Sequence, residues 1–188
     1  MTAQEPLPAG TAWWAVMRCG RATVVLLARR RIHFPRRHLG TRLRFADGTA
    51  PVVYRETVVD RSAREDPCVL LVEFWLRAVR RRGHVLFRWV SLLSTPLFVG
   101  FPGFVSKLWL AADEHGVYRG LCEWDGPGRA EAYARALWRV LALVNVSGSI
   151  HYRVVPGLRR ADLLGRPELL NGETGTDGRD WWRLVAVA

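Results

Sequence analysis

The sequence predicts an α+β fold in which an antiparallel sheet carries two helices on one face. Three observations predict it. Residues 104–124 read as two β-strands joined by a turn, with Asp113 and Gly116 supplying the turn chemistry. From Cys68 to Arg77 the chain is nearly continuously apolar, the pattern of a strand buried on both faces. Helical patterns over residues 83–95 and 131–145 lie between strand patterns. From Cys68 onward the order is therefore β-α-β-β-α-β, the ferredoxin-like arrangement.

Each element has its own warrant. Thr11–Arg31 reads as an added N-terminal helix, with Arg18, Arg21 and Arg29 on one side of the wheel and Trp13, Val16, Val24 and Leu27 opposite. Two internal arginines make it a poor membrane span. It fits first a helix docked on the domain or on a dimer partner, and second a basic helix lying on an anionic membrane. Residues 32–40 form a basic linker. Residues 42–60 predict a β-hairpin turning at Asp47-Gly48. The helix over 83–95 ends at Pro96; its surroundings, residues 84–105, hold prolines, glycines and Arg88, which argue against a spanning segment. Asp125-Gly126-Pro127 is a helix start, an acid placed to cap followed by proline. The helix breaks at Ser147-Gly148, and residues 149–155 form the last strand of the core. Residues 159–170 predict a short helix, and 171–180 are glycine-rich and polar. Trp181-Trp182 and the apolar residues 184–187 read as a tail that docks.

The 104–124 hairpin predicts its own register. With a four-residue loop, Trp109 lies opposite Gly120, Lys107 opposite Cys122 and Leu108 opposite Leu121. One face then carries Val105, Lys107, Trp109, Tyr118, Gly120, Cys122 and Trp124, with a tryptophan ring over a glycine. The other carries Ser106, Leu108, Leu110, Arg119, Leu121 and Glu123. Neither face is polar, so both need a cover. For the second face a symmetric partner subunit is the expected cover.

At 188 residues the chain can bury a proper core, and half of it is apolar. The net charge is +11, and Lys107 is the only lysine among 28 basic residues. Basicity favours loose binding of anions such as acidic lipid. No basic stripe interleaved with stacking aromatics is present, so no specific nucleic-acid partner is expected. Three cysteines with no C-x-x-C spacing read as free thiols in a reducing, cytoplasmic compartment. Residues 1–10 are acidic and proline-bearing, unlike a secretory leader.

The five histidines are scattered without metal-ligand spacing, so no metal site is expected, and Rossmann, P-loop and G-x-S-x-G signatures are absent. What remains is an aromatic set with a few polar groups. Lys107, His151 and Glu123 are the candidate catalytic residues, as base or as donor to a developing oxyanion. Trp89, Trp109, Tyr118, Trp124 and Tyr152 are the candidate substrate contacts, with Trp75 and Trp138 in the wider set. Each aromatic taken singly fits a core role as well. Glu73 sits in an apolar strand and is expected to pair with an arginine such as Arg77 or Arg119.

Pro102-Gly103-Phe104, Ser106-Lys107-Leu108-Trp109, Gly116-Val117-Tyr118-Arg119-Gly120, Glu123-Trp124 and Ala130-Glu131-Ala132-Tyr133 together resemble the mono-oxygenase branch of the dimeric α+β barrel superfamily. The resemblance covers residues 68–158, leaving 1–67 as an N-terminal and 159–188 as a C-terminal extension. It implies a homodimer whose two sheets form a barrel, with a ligand cavity between sheet and helices. Members include oxygenases without a cofactor acting on polyketide-like aromatics, polyketide cyclases and haem-handling proteins. The function it implies is an oxygenase or cyclase with no tightly bound cofactor, acting on a hydrophobic small molecule. The alternative is a non-enzymatic ligand- or lipid-binding module held peripherally at a membrane by Thr11–Arg31.

Overall fold

The computed structural model describes residues 9–61, 65–76, 95, 98–141, 149–172 and 180–188. The predicted helix over 83–95, with His84 and Trp89, lies outside the described residues. In chain order the elements are α1 (Ala9–Ala28), β1 (Ile32–His33), β2 (Leu43–Phe45), β3 (Val53–Val59), β4 (Pro67–Trp75), β5 (Phe104–Leu110), β6 (Val117–Asp125), α2 (Pro127–Leu141), β7 (His151–Pro156), α3 (Arg160–Gly165), a 3₁₀ turn (Pro167–Leu170) and β8 (Leu184–Val187).

Six strands form one sheet in the order β1-β3-β5-β6-β4-β7, and every ladder is antiparallel. Counting β4, β5, β6 and β7 as first to fourth, the core order is fourth-first-third-second, the ferredoxin-like sheet. Cys68 to Phe74 are buried throughout, as a central strand between β6 and β7 requires.

The 42–60 segment departs from a simple hairpin. The Asp47-Gly48 turn forms, with Gly48 at φ 89° and the Phe45 N–H donating to the Thr49 carbonyl at 2.9 Å. Beyond it the two arms stay bonded, the Leu43 N–H donating to the Pro51 carbonyl at 3.0 Å and the Val53 N–H to the Thr41 carbonyl at 2.9 Å, with Arg42 bridging Val52, and each arm gains a second partner. β2 pairs with β8 in a two-stranded ribbon, and β3 joins the main sheet beside β5. Leu43 and Phe45 are apolar on one face only, while β3 is apolar or buried along its length, so each goes where its burial is met. The expected linker also contributes: Ile32 pairs with Val59 as a two-residue edge strand.

The 104–124 hairpin has the predicted register, with Trp109 opposite Gly120, Lys107 opposite Cys122 and Leu108 opposite Leu121. One detail differs. The ladder shifts between Phe104 and Ser106, so Phe104 rather than Val105 joins the helix-side core.

Two apolar cores flank the sheet. On the helix side, Cys68, Leu70, Val72, Phe74, Trp109, Tyr118, Cys122 and Trp124 pack with Ala130, Tyr133 and Ala136 of α2 and Cys19 of α1. On the far side, Val69, Leu71, Leu108, Leu110 and Leu121 pack under Leu43, Phe45, Leu163, Leu170, Trp181, Trp182 and Leu184. The β2–β8 ribbon and the C-terminal segment pack on this face, where the sequence leads one to expect a partner subunit as the cover. Arg160 closes the cover: its Nη2 donates to Glu56 Oε1 at 2.6 Å, and His38 Nδ1 lies 2.9 Å from Glu56 Oε2.

Candidate functional site

Strand alternation places two cross-strand rows on the helix side of the sheet. One is Arg55–Trp109–Gly120–Val72–Tyr152, and the next is Thr57–Lys107–Cys122–Leu70–Val154. Lys107 is 92 % buried by the fold, its exposure being 8 %. Its Nζ lies 3.7 Å from the Trp109 ring centroid and 4.9 Å from that of Phe98. The stem runs across Gly120, where an added Cβ would meet Lys107 Cε at 3.1 Å. The sequence reading put the Trp109 ring over that glycine; the lysine occupies the space.

No carboxylate among the described residues pairs with Lys107. Residues 74–112 contain no aspartate or glutamate at all, so the segment joining β4 to β5 brings none. The second cation is Arg55, whose guanidinium lies 5.2 Å from the Trp109 ring and 5.3 Å from Phe34, with Nη2 donating to Thr95 Oγ1. The Lys107 amine and the Arg55 guanidinium both lie near the Trp109 ring, and its Nε1 donates to Thr57 Oγ1 at 3.4 Å. Burial is the main cause that lowers the Lys107 pKa from its ordinary value; the nearby Cys122 opposes it and Arg55 adds to it. Burial likewise pushes the Cys122 thiol up.

The other predicted contacts divide by position. Tyr118 stacks on Phe74 at 5.8 Å between centroids. Trp124 is fully buried against Tyr133 of α2 at 4.7 Å and Phe104 at 5.4 Å, which makes it a packing residue between sheet and helix. Tyr152 shares the row of Trp109 but stands three strands away, roughly 14 Å. Trp89 lies outside the described residues, as do the side chains of Trp138 and its neighbours in α2.

The sheet separates the three candidate catalytic residues. Lys107 is on the helix side, whereas His151 and Glu123 face the far side. Glu123 is buried and accepts the Ser106 hydroxyl at 3.4 Å. His151 belongs to a cross-strand row with Arg119 and Glu73. Arg119 Nε donates to Glu73 Oε2 at 3.4 Å, the pairing expected from sequence, and His151 Nδ1 lies 3.4 Å from Glu73 Oε1. Arg119 also bonds Thr49 and Asp47 and lies 3.5 Å from Asp113, tying the β2–β3 and β5–β6 turns to the sheet. Three carboxylates share this one guanidinium. Burial is the largest cause raising the Glu73 pKa, to about 7, partly offset by Arg119. This network is a structural tie, closed under β2 and the tail.

Sequence reasoning missed Arg55, Thr57 and Phe98. An arginine inside the β-branched run of β3 was the available signal. No cluster of three His, Cys, Asp or Glu that could hold a metal forms among the described residues.

No protein-family model and no curated protein matches the chain. Among solved structures it is similar to an uncharacterized ferredoxin-fold protein of Listeria monocytogenes related to antibiotic biosynthesis monooxygenases. Identity there is 16 % and the TM-score 0.41, over 60 % of this chain and 66 % of that one, just under two thirds of its length. A monooxygenase-like protein of Listeria innocua is 16 % identical, with TM-score 0.40 over 62 % of this chain and 68 % of that one. An anthrone oxidase-like protein is 13 % identical, with TM-score 0.39 over 59 % and 55 %. The assignment of this chain to the ferredoxin-like fold stands on its strand order.

Proposed function

We propose that the protein is a small-molecule enzyme, an oxygenase or cyclase with no tightly bound cofactor. Its substrate is a hydrophobic, polyketide-like or aromatic molecule with an acidic enol or phenol, and its reactive centre is Lys107. The observation that carries this is the buried amine, without an ion pair among the described residues, held between Trp109 and Phe98. The motif resemblance supplies the reaction class.

The chemistry follows from charge. In an apolar site the neutral amine is favoured over the ammonium, so Lys107 can accept a proton. An enol or phenol O–H gives up that proton to Nζ, and the electron pair stays on the substrate oxygen as an enolate. Ammonium and enolate then form together as a pair, with Trp109 lying against the cation. An enolate is the electron-rich species that attack on dioxygen and intramolecular carbonyl addition both require. Arg55, whose guanidinium lies 5.2 Å from the Trp109 ring, adds a fixed positive potential.

Oxygen uptake and product formation with a panel of hydrophobic phenols and 1,3-diketones test the reading. Turnover by wild type, with Lys107→Met and Lys107→Arg folded but inactive, is the expected result. kcat/KM should rise with pH through a pKa below the ordinary lysine value of 10.5, as the amine loses its proton. Full activity in Lys107→Arg would sink it, and ligand retention without turnover would make the protein a binding module.

A further inference from the structure

The outer face of α1 is open to solvent and unlike an ordinary soluble helix surface. Cys19 and Thr23 point inward, against Gly100 and its neighbours. The outward sector carries Trp14 and Met17, each 71 % exposed, and Val25, with Val24, 64 % exposed, at its edge. Arg18 and Arg21 stand among Trp14, Met17 and Val25, also exposed, and Leu27 is exposed on the side opposite the arginines. The chain continues directly into Arg29-Arg30-Arg31, then exposed Phe34, Arg36, Arg37 and exposed Leu39. Residues 6–46 contain nine arginines and no aspartate or glutamate.

Each half of this pattern has a cost in water. Exposed tryptophan, methionine and valine in one sector form an apolar strip with no cover among the described residues. Arginines without interspersed carboxylates repel one another. One partner relieves both: a sheet of negative charge with an apolar layer beneath it. The helix is 20 residues long, about 30 Å, and no described helix is long and apolar enough to cross a membrane. It can lie along a surface with Trp14 and Met17 inserted and the arginines at the headgroups.

We propose that α1 and the arginine-rich segment after it dock the protein on an anionic lipid bilayer. The charge of this segment selects the anionic surface, and the exposed apolar side chains supply the insertion. The surface is continuous in sequence with Phe34, which stacks on Arg55 beside the Lys107 centre.

Co-sedimentation of the full chain with vesicles tests this. Phosphatidylcholine vesicles are compared with vesicles of phosphatidylcholine and phosphatidylglycerol, at low and high salt. Wild type should pellet with the anionic vesicles at low salt, be released at high salt, and stay in solution with the neutral ones. Arg18→Glu/Arg21→Glu should bind at least about tenfold more weakly. Both side chains are exposed, so its melting temperature should match wild type. Trp14→Ser/Met17→Ser should keep the salt-sensitive attraction but lose what binding survives at intermediate salt. Equal partitioning onto both vesicle types would overturn the proposal, as would undiminished binding by the Arg18/Arg21 variant. Preference for duplex DNA or RNA over the vesicles would make the patch a nucleic-acid surface, and a dimer abolished by Trp14→Ser/Met17→Ser would make it an interface between copies. Either result also overturns the proposal.

Discussion

Gly120 and Lys107 act as one unit. Any side chain at 120 enters the space the lysine stem occupies, at 3.1 Å from Cε. A flexible side chain can yield, so Gly120→Ala is expected to fold with a stability loss of no more than about 1 kcal/mol. Displacing Nζ from Trp109 should nevertheless depress turnover as strongly as changing Lys107 itself. Steady-state kinetics beside a thermal melt separates the two effects, and unchanged kinetics would detach Gly120 from the site. Glu73 makes a different kind of prediction. Its folded pKa of about 7 lies above the ordinary 4.5, so between those values the folded state holds a proton the unfolded chain has released. The folded state then binds more protons, and stability must fall as pH rises across that window. Glu73→Gln should remove this component. Denaturant melts from pH 4 to 8 should show the variant curve flatter than wild type by that slope, whereas parallel curves would mean the carboxyl titrates normally.

Among the elements, α1 is held by a close backbone approach. A Cβ on Gly100 would stand 2.0 Å from the Cys19 carbonyl oxygen and 2.8 Å from the Thr23 amide nitrogen. These are backbone atoms of a helix and cannot swing aside. Gly100→Ala is therefore expected to lift α1 from its seat, at a cost of about 1–3 kcal/mol. Limited trypsin digestion provides the readout: cleavage at Arg29-Arg30-Arg31 should accelerate severalfold while the sheet fragment survives. A digestion rate equal to wild type would mean that α1 shifts without detaching. The β2–β8 ribbon shows the same reliance on partners. Its two strands come from opposite ends of the chain, joined by Arg42 and Ala188 exchanging N–H and carbonyl bonds at 2.8 and 3.0 Å.

For the whole molecule, the consequence is that the far side of the sheet belongs to the tail. Val69, Leu71, Leu108, Leu110 and Leu121 are each at most 2 % exposed, and Trp182 over them is 1 % exposed. Removing residues 159–188 would uncover these side chains together with the Arg119 network. Such an apolar face is of the kind that drives association. A chain ending at residue 158 is expected to self-associate in light scattering at concentrations where the full chain does not change mass. A well-behaved monomer of the shortened chain would show that β2 and the loops suffice as a cover.

Local patterns determined the 104–124 hairpin. Alternation in residues 104–124 set which side chains share a face, and turn chemistry at Asp113–Gly116 set the register, because both act over a few residues. That Glu73 pairs with an arginine was legible, since a carboxylate buried mid-strand needs a cation, but the choice of Arg119 over Arg77 came from the fold. Which pieces meet across the fold was not legible. Nothing local tells Leu43 and Phe45 to pair with residues at the far end of the chain, since burial is non-directional and any apolar cover of the right size would serve. The candidate site divides along the same line. Its central residue, Lys107, stood out as the single lysine, and Trp109 followed from alternation. Arg55 and Thr57 came from β3 and Phe98 from the segment before β5, and His151 and Glu123 fell on the opposite side of the sheet. Tertiary structure decided these placements because strand order across a sheet is set by long-range burial, not by the residues next along the chain.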